Sequence, residues 1–218
     1  QFSISTRPAP AAARTGNIFV ANQSGTASLV DLETGAVEHF QIGPDPHNAA
    51  VSPDGRWGVT VTFGPMTHAA DTHILNGNKL IVVDLAKKQI ARTIDTGEYR
   101  GLHDRAFRRG HPNRVLVTAQ TSRRVIEVDI TTGAIIGAMD TRSERSHMLA
   151  VARDGNTVFT TNEDPGSISR MDVPTHSFVA SFPASPQVEG IAVTADGKEL
   201  WVGETREGLV TVRNATTG

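Results

Sequence analysis

An all-β protein assembled from repeated sheets is predicted by three observations. One phrase recurs along the chain. Pro44-Asp45-Pro46-His47-Asn48-Ala49-Ala50-Val51-Ser52-Pro53-Asp54-Gly55 is echoed by His-Met-Leu-Ala-Val-Ala-Arg-Asp-Gly at 147–155 and by Glu-Gly-Ile-Ala-Val-Thr-Ala-Asp-Gly at 189–197. Between the copies lie short apolar segments rich in Val, Ile and Thr, bounded by turn residues, which read as strands. Equivalent strands return at a near-constant interval: Phe19 to Val59 is 40 residues, Leu116 to Phe159 is 43, and Phe159 to Trp201 is 42. Four short strands in each unit of about 40–45 residues indicate a β-propeller of four-stranded antiparallel blades.

Taken in order, Phe2-Ser3-Ile4-Ser5-Thr6 alternates and predicts an isolated strand, with a Pro- and Ala-containing linker at 7–15. Residues 16–218 carry about five repeats, at approximately 16–57, 58–114, 115–157, 158–199 and a partial 200–218. In each, a first strand ends in a polar residue, or one residue past it at Ala119 in the third copy: 18–22, 58–62, 115–119, 158–162 and 200–204. A second ends near an Asp, or at Asn214 in the last copy: 28–31, 80–84, 125–129, 168–172 and 209–212. A turn follows, often Thr-Gly, and then a third strand at 37–42, 89–94, 134–139 and 177–182. The recurring phrase supplies the innermost strand, read as a short buried segment at 49–51. Its Pro-Asp-Gly is a tight turn, because Pro presets φ and Gly tolerates positive φ. Val59 to Leu116 spans 57 residues, so the second repeat holds an insertion at 64–78.

The segments Phe-Val-Ala-Asn (19–22), Val-Asp-Leu-Glu-Thr-Gly (30–35) and Pro-His-Asn-Ala-Ala-Val-Ser-Pro-Asp-Gly (46–55) resemble the YVTN-type β-propeller repeats of bacterial surface and periplasmic proteins. That resemblance covers about residues 16–218, and it implies a periplasmic or extracellular location. Its blade order places the recurring phrase innermost. By that order the first blade lacks an innermost strand and the last stops before its outermost one. An incomplete ring is therefore expected, part of a longer propeller or of an assembly.

Composition narrows the function classes. A net charge of −2 leaves no basic footprint for nucleic acid. No apolar run is long enough for a membrane span. With no cysteine, thiolate ligands and disulfides are excluded. No nucleophile elbow, P-loop or dinucleotide fingerprint is present.

The candidate site is a column. His47, His147 and Glu189 each stand seven residues before the Asp of their phrase; His103 opens a fourth, altered copy one residue longer. Successive blades bring such a column to the channel mouth, where imidazoles and a carboxylate suit a divalent Zn, Cu, Ni or Fe ion. The insertion offers His68, Asp71 and His73 as further ligands or a lid. Each column His also has a purely structural reading, as a hydrogen-bonding partner of the neighbouring strand. Asn22, Asn162 and Glu204 are expected on the same rim. Arg105, Arg108 and Arg109 read as a solvated basic turn, and His39, His111 and His176 as exposed. Glu163-Asp164-Pro165-Gly166 reads as a turn and only secondarily as a Ca²⁺ candidate, and Trp57 and Trp201 read as packing residues. The expected function is a binding or interaction propeller whose channel-mouth face meets a small molecule or protein. The alternative is a metal-dependent enzyme. Propeller lyases resembling the virginiamycin B lyase group carry His and Glu at this position, and a lactonase-like hydrolase is a further form of it. There the metal would polarise a carbonyl or bind water, with Glu204 or His73 moving the proton.

Overall fold

The computed structural model describes residues 15–64 and 76–218. The strand predicted at 2–6 and the insertion residues His68, Asp71 and His73 lie outside them. The chain forms a β-propeller of five antiparallel sheets. The first is β1 (Asn17–Asn22), β2 (Thr26–Asp31) and β3 (Val37–Gln41). The second is β4 (Pro46–Val51), β5 (Trp57–Thr62), β6 (Lys79–Asp84) and β7 (Gln89–Asp95). The third is β8 (Leu102–Phe107), β9 (Arg114–Ala119), β10 (Arg124–Asp129) and β11 (Ile135–Asp140). The fourth is β12 (Glu144–Val151), β13 (Thr157–Asp164), β14 (Ser167–Asp172) and β15 (Ser177–Pro183). The fifth is β16 (Val188–Val193), β17 (Glu199–Glu204) and β18 (Leu209–Asn214). Among the described residues the first sheet shows no innermost strand and the fifth no outermost one, in line with the expected blade order. Among the described residues no strand pairing joins the first sheet to the fifth.

The turns explain why each second strand ends near an acid. Asp129 Oδ1 accepts the backbone N–H of Thr131 at 2.9 Å and of Thr132 at 3.0 Å. Asn214 Oδ1 does the same for Thr216 and Thr217 at 2.8 and 3.0 Å. These side-chain turns act beside a backbone bond, since Gly133 N–H donates to the Asp129 carbonyl and Gly218 N–H to the Asn214 carbonyl, each at 2.8 Å.

The core lies between sheets. Val59, Val61, Leu80 and Val82 of the second sheet pack on Leu102, Val115, Val117 and Ile126 of the third. Phe159, Ile168 and Phe182 of the fourth pack on Val188, Leu200 and Val202 of the fifth. Each fully buried Val, Leu or Ile is worth about 1.5–3 kcal/mol against exposure, so stacking dominates stability. The inner strands β4, β8, β12 and β16 touch in succession.

Two packing expectations are corrected. Trp201 is 49 % exposed. Leu200 and Val202 face the fourth sheet, so Trp201 and its cross-strand partner Val212 point to the opposite face, which no sheet covers among the described residues. Val51, read as buried, is 45 % exposed at the end of β4. Trp57 is half-buried and packs on the core, with Arg56 over its ring at 4.4 Å.

Polar groups also lock the third sheet to the fourth. His39 and His111 are exposed as expected, but His176 is not: its Nε2 meets Glu127 Oε2 at 2.8 Å. Arg108 Nη1 donates to the other oxygen of Glu127 at 3.0 Å. Glu127 is fully buried, and burial pushes its carboxyl up. The bonds from His176 and Arg108 more than offset that, so its pKa lies below the usual range. The backbone of Gly137 makes room for His176, since a Cβ there would fall 2.4 Å from the imidazole.

Gly137→Ala should therefore displace His176 and weaken the Glu127 contact. We expect a loss of about 1–3 kcal/mol in urea or thermal melts, the usual cost of overpacking. In a His176→Ala background the same change should cost much less. Equal costs in both backgrounds would contradict this account.

Candidate metal centre at the channel mouth

The column is built by one backbone device used four times. In each inner strand a β-bulge interrupts the pairing, between His47 and Ala50, Leu102 and Arg105, Ser146 and Leu149, and Val188 and Ile191. A bulge leaves residues unpaired and re-aims their side chains. Two residues before each column position the backbone is left-handed: Asp45, Gly101, Arg145 and Gln187 have φ of 49°, 64°, 52° and 61°. The hydroxyls of Thr118 and Thr161 reach across to the next blade, donating to the carbonyls of His147 and Glu189 at 2.8 and 2.7 Å. These bonds fix the relative heights of successive column residues.

The three imidazoles form a continuous stack. Ring centroids of His47 and His103 are 4.4 Å apart, and those of His103 and His147 are 3.9 Å apart. Phe63 closes the far side, 5.1 Å from His47 and 4.9 Å from His103. Nδ1 of all three histidines is buried without a hydrogen-bond partner. Burial is the main cause lowering the pKa of each; for His103 the neighbouring His147, His47 and Arg105 add to it and bring the pKa to about 2. All three rings are therefore neutral at pH 7, with ring lone pairs in the form a metal requires.

Ligating atoms converge at one end of the stack. His147 lies between two carboxylates: its Nε2 is 3.4 Å from Glu163 Oε1 and its Nδ1 is 3.4 Å from Glu189 Oε2, the latter outside hydrogen-bond geometry. One ligand atom from each of His147, Glu163 and Glu189 can be chosen so that all lie within 4.8 Å of one another. Among the described residues this is the one such group. His47 and His103 adjoin it through the stack but are not members.

Glu163 is the residue that sequence reasoning passed over. It was read as a turn, but β13 runs on to Asp164. It stands one residue beyond the polar strand end Asn162, where the second sheet has Phe63 and the third Gln120. That position forms a second column beside the first: Gln120 Nε2 lies 3.4 Å from Glu163 Oε2, and Phe63 packs on the histidines. The signal available was this register, one place past each first strand.

Three other expectations are corrected. Glu204 is not a free carboxylate: Oε1 accepts Arg213 Nη2 at 2.6 Å and Thr211 Oγ1 at 2.7 Å, and Oε2 accepts the N–H and hydroxyl of Ser185. Burial alone would raise its pKa, yet those bonds hold it at about 2, too low for a proton carrier at neutral pH. Asn22 and Asn162 spend their amides on Thr26, Ser28, Ser167 and Ser169, tying the sheets internally. The basic turn is not solvated as a unit. Arg105 is buried in the channel wall, its Nη1 3.4 Å from the His47 carbonyl and 3.5 Å from Asp104. Burial lowers its pKa to about 10, so it stays charged. Arg108 belongs to the Glu127 cluster, and only Arg109 is exposed.

No family model matches the chain, and no curated protein matches it. Solved structures do. The chain is similar to Kuenenia stuttgartiensis hydrazine synthase, with a TM-score of 0.72 and 18 % identity over 85 % of this chain and 51 % of that one. It thus spans about half the length of that protein. It is also similar to a functionally unknown protein from Desulfotomaculum acetoxidans DSM 771, with a TM-score of 0.68 and 16 % identity over 93 % and 67 % of the two chains. At these identities the likeness establishes the fold.

The buried histidines make stability depend on pH with a definite sign. His103 binds a proton near pH 6.5 when unfolded but only near pH 2 when folded. Its contribution is complete above about pH 6.5 and declines below it, by up to ~1.4 kcal/mol per pH unit. Urea melts from pH 7.5 to 4.5 should show this loss, and His103→Gln should flatten the slope. Identical slopes for the two proteins would rule out His103 as the source.

Proposed function

We propose that this chain is a binding propeller that holds a divalent metal at its channel mouth, on His147, Glu163 and Glu189, and presents it to a small-molecule or protein ligand. The carrying observation is the convergence of one neutral imidazole and two carboxylates within 4.8 Å. Such N/O donors suit Zn²⁺ and neighbouring transition ions, and three protein ligands leave open positions for a further ligand. Kinship with YVTN-type repeats and a periplasmic or extracellular location belong to the same reading, and rest on the phrases at 19–22, 30–35 and 46–55. Binding is preferred over the lyase or hydrolase alternative because Glu204, one of the two groups named to move the proton, is held ionised by four hydrogen bonds from Ser185, Thr211 and Arg213.

The absence of a long apolar helix among the described residues supports the expectation that no helix spans a membrane.

Titration calorimetry with Zn²⁺ tests the centre. Wild type should take one ion. Loss of an outer partner of a metal site commonly costs 10–100-fold in affinity, so His147→Ala and Glu163→Gln should each cost at least about 100-fold. His103→Ala should retain most of the uptake, which separates this trio from a set that includes His103. Equal uptake by wild type, His147→Ala and Glu163→Gln would end the proposal.

A further inference from the structure

The groove beside the trio carries a second feature. It encloses ≈ 460 Å³, within the range of small-molecule sites, and its charged lining is Arg145, Arg206, Glu163, Asp164 and Glu189. Three carboxylates face two guanidiniums, which leaves one net negative charge. A divalent ion on the trio would reverse that to one net positive charge. The same groove would then repel an anion without metal and attract it with metal.

Arg145 is placed to make that change abrupt. It is the one cation at the left-handed position two residues before the column, where the other inner strands have Asp45, Gly101 and Gln187. Its Nε donates to Glu163 Oε2 at 2.7 Å, while the other oxygen of Glu163 faces His147. One carboxylate thus serves both a guanidinium and the metal position. A metal drawing on Glu163 would bring two positive charges beside a third, and like charges that close repel even at a surface. Arg145 is 54 % exposed, so it can turn into the groove without leaving a core.

We propose that metal binding at the trio converts this groove into a site for a small polar carboxylate, with Arg145 exchanging Glu163 for the ligand. A guanidinium grips a carboxylate through paired N–H bonds. Arg206 adds a second cation to the lining, and Gln187 and Thr205 line the groove with hydrogen-bonding groups for hydroxyl substituents. The class that fits is a hydroxy acid. The inference rests on the metal site proposed above, and it adds the ligand class and the order of events.

Zn²⁺ titrations with and without saturating lactate, and with its neutral methyl ester, test it. Lactate should tighten Zn²⁺ binding by about 5- to 150-fold, the usual span of coupling between two ligands, and Zn²⁺ should tighten lactate binding equally. The methyl ester should do neither. Arg145→Asn keeps a residue that tolerates the left-handed backbone and removes the competing cation. It should bind Zn²⁺ more tightly than wild type without lactate and lose most of the lactate coupling, with an unchanged thermal melt. Zinc uptake that needs His147 but ignores lactate, or responds equally to the ester, or retains full coupling in Arg145→Asn, overturns this inference and leaves the metal site standing. Zinc uptake indifferent to His147 and Glu163 overturns both.

Discussion

Face-to-face burial between neighbouring twisted sheets is the constraint on which everything else depends. No sheet here covers itself. Leu80, Leu116 and Leu200 are fully buried because the next blade lies against them. A four-stranded sheet of this size would otherwise expose an apolar face to water and an edge to other chains. Stacking also fixes the heights and angles of the inner strands, so a single side chain per blade reaches the axis at a set level. The column is a product of packing before it is a product of chemistry.

That axis is electrostatically unusual. Three imidazoles, an arginine and an aspartate crowd together there, with His103, Asp104 and Arg105 buried. The imidazoles tolerate it by staying neutral and stacking on one another and on Phe63. Arg105 remains charged and donates long contacts to the His47 and His103 carbonyls, with Asp104 3.5 Å away. Asp104 in turn accepts the N–H of Leu149 at 2.9 Å, joining the third blade to the fourth. Towards the mouth the balance changes, since Glu163 and Glu189 bring acceptors beside His147. One end of the stack is cohesive, and at the other His147, Glu163 and Glu189 gather groups that could hold a cation.

The repeat period, strand order and turn chemistry were legible because each rests on local residues. Asp-Gly turns and Val-rich alternation announce themselves, and the column followed from counting back from each Asp. What escaped reading depends on neighbours distant in sequence. Arg105 and Arg108 sit in a segment that looks solvated, and only the packing of the third blade against the second and fourth buries them. Glu163 resembled a turn residue because Pro165-Gly166 follows it. The left-handed backbone before each column residue is signalled by glycine at Gly101 alone; at Asp45, Arg145 and Gln187 the tertiary context imposes it.

The uncovered face of Trp201 and Val212 bears on the metal centre through cooperativity. Among the described residues the fifth sheet gains packing from one side, whereas the second, third and fourth gain it from two. In a stack governed by nearest neighbours, a unit packed on one side opens at a lower free energy than one packed on two. Glu189 belongs to that unit, while His147 and Glu163 belong to the more firmly held fourth sheet. The proposed ligand set thus spans a more firmly packed sheet and a less firmly packed one, and an ion bound there would act as a rivet between them. Whatever covers Trp201 would slow the opening of the fifth sheet, and so lengthen the residence of an ion on the proposed trio, through Glu189 on the neighbouring strand.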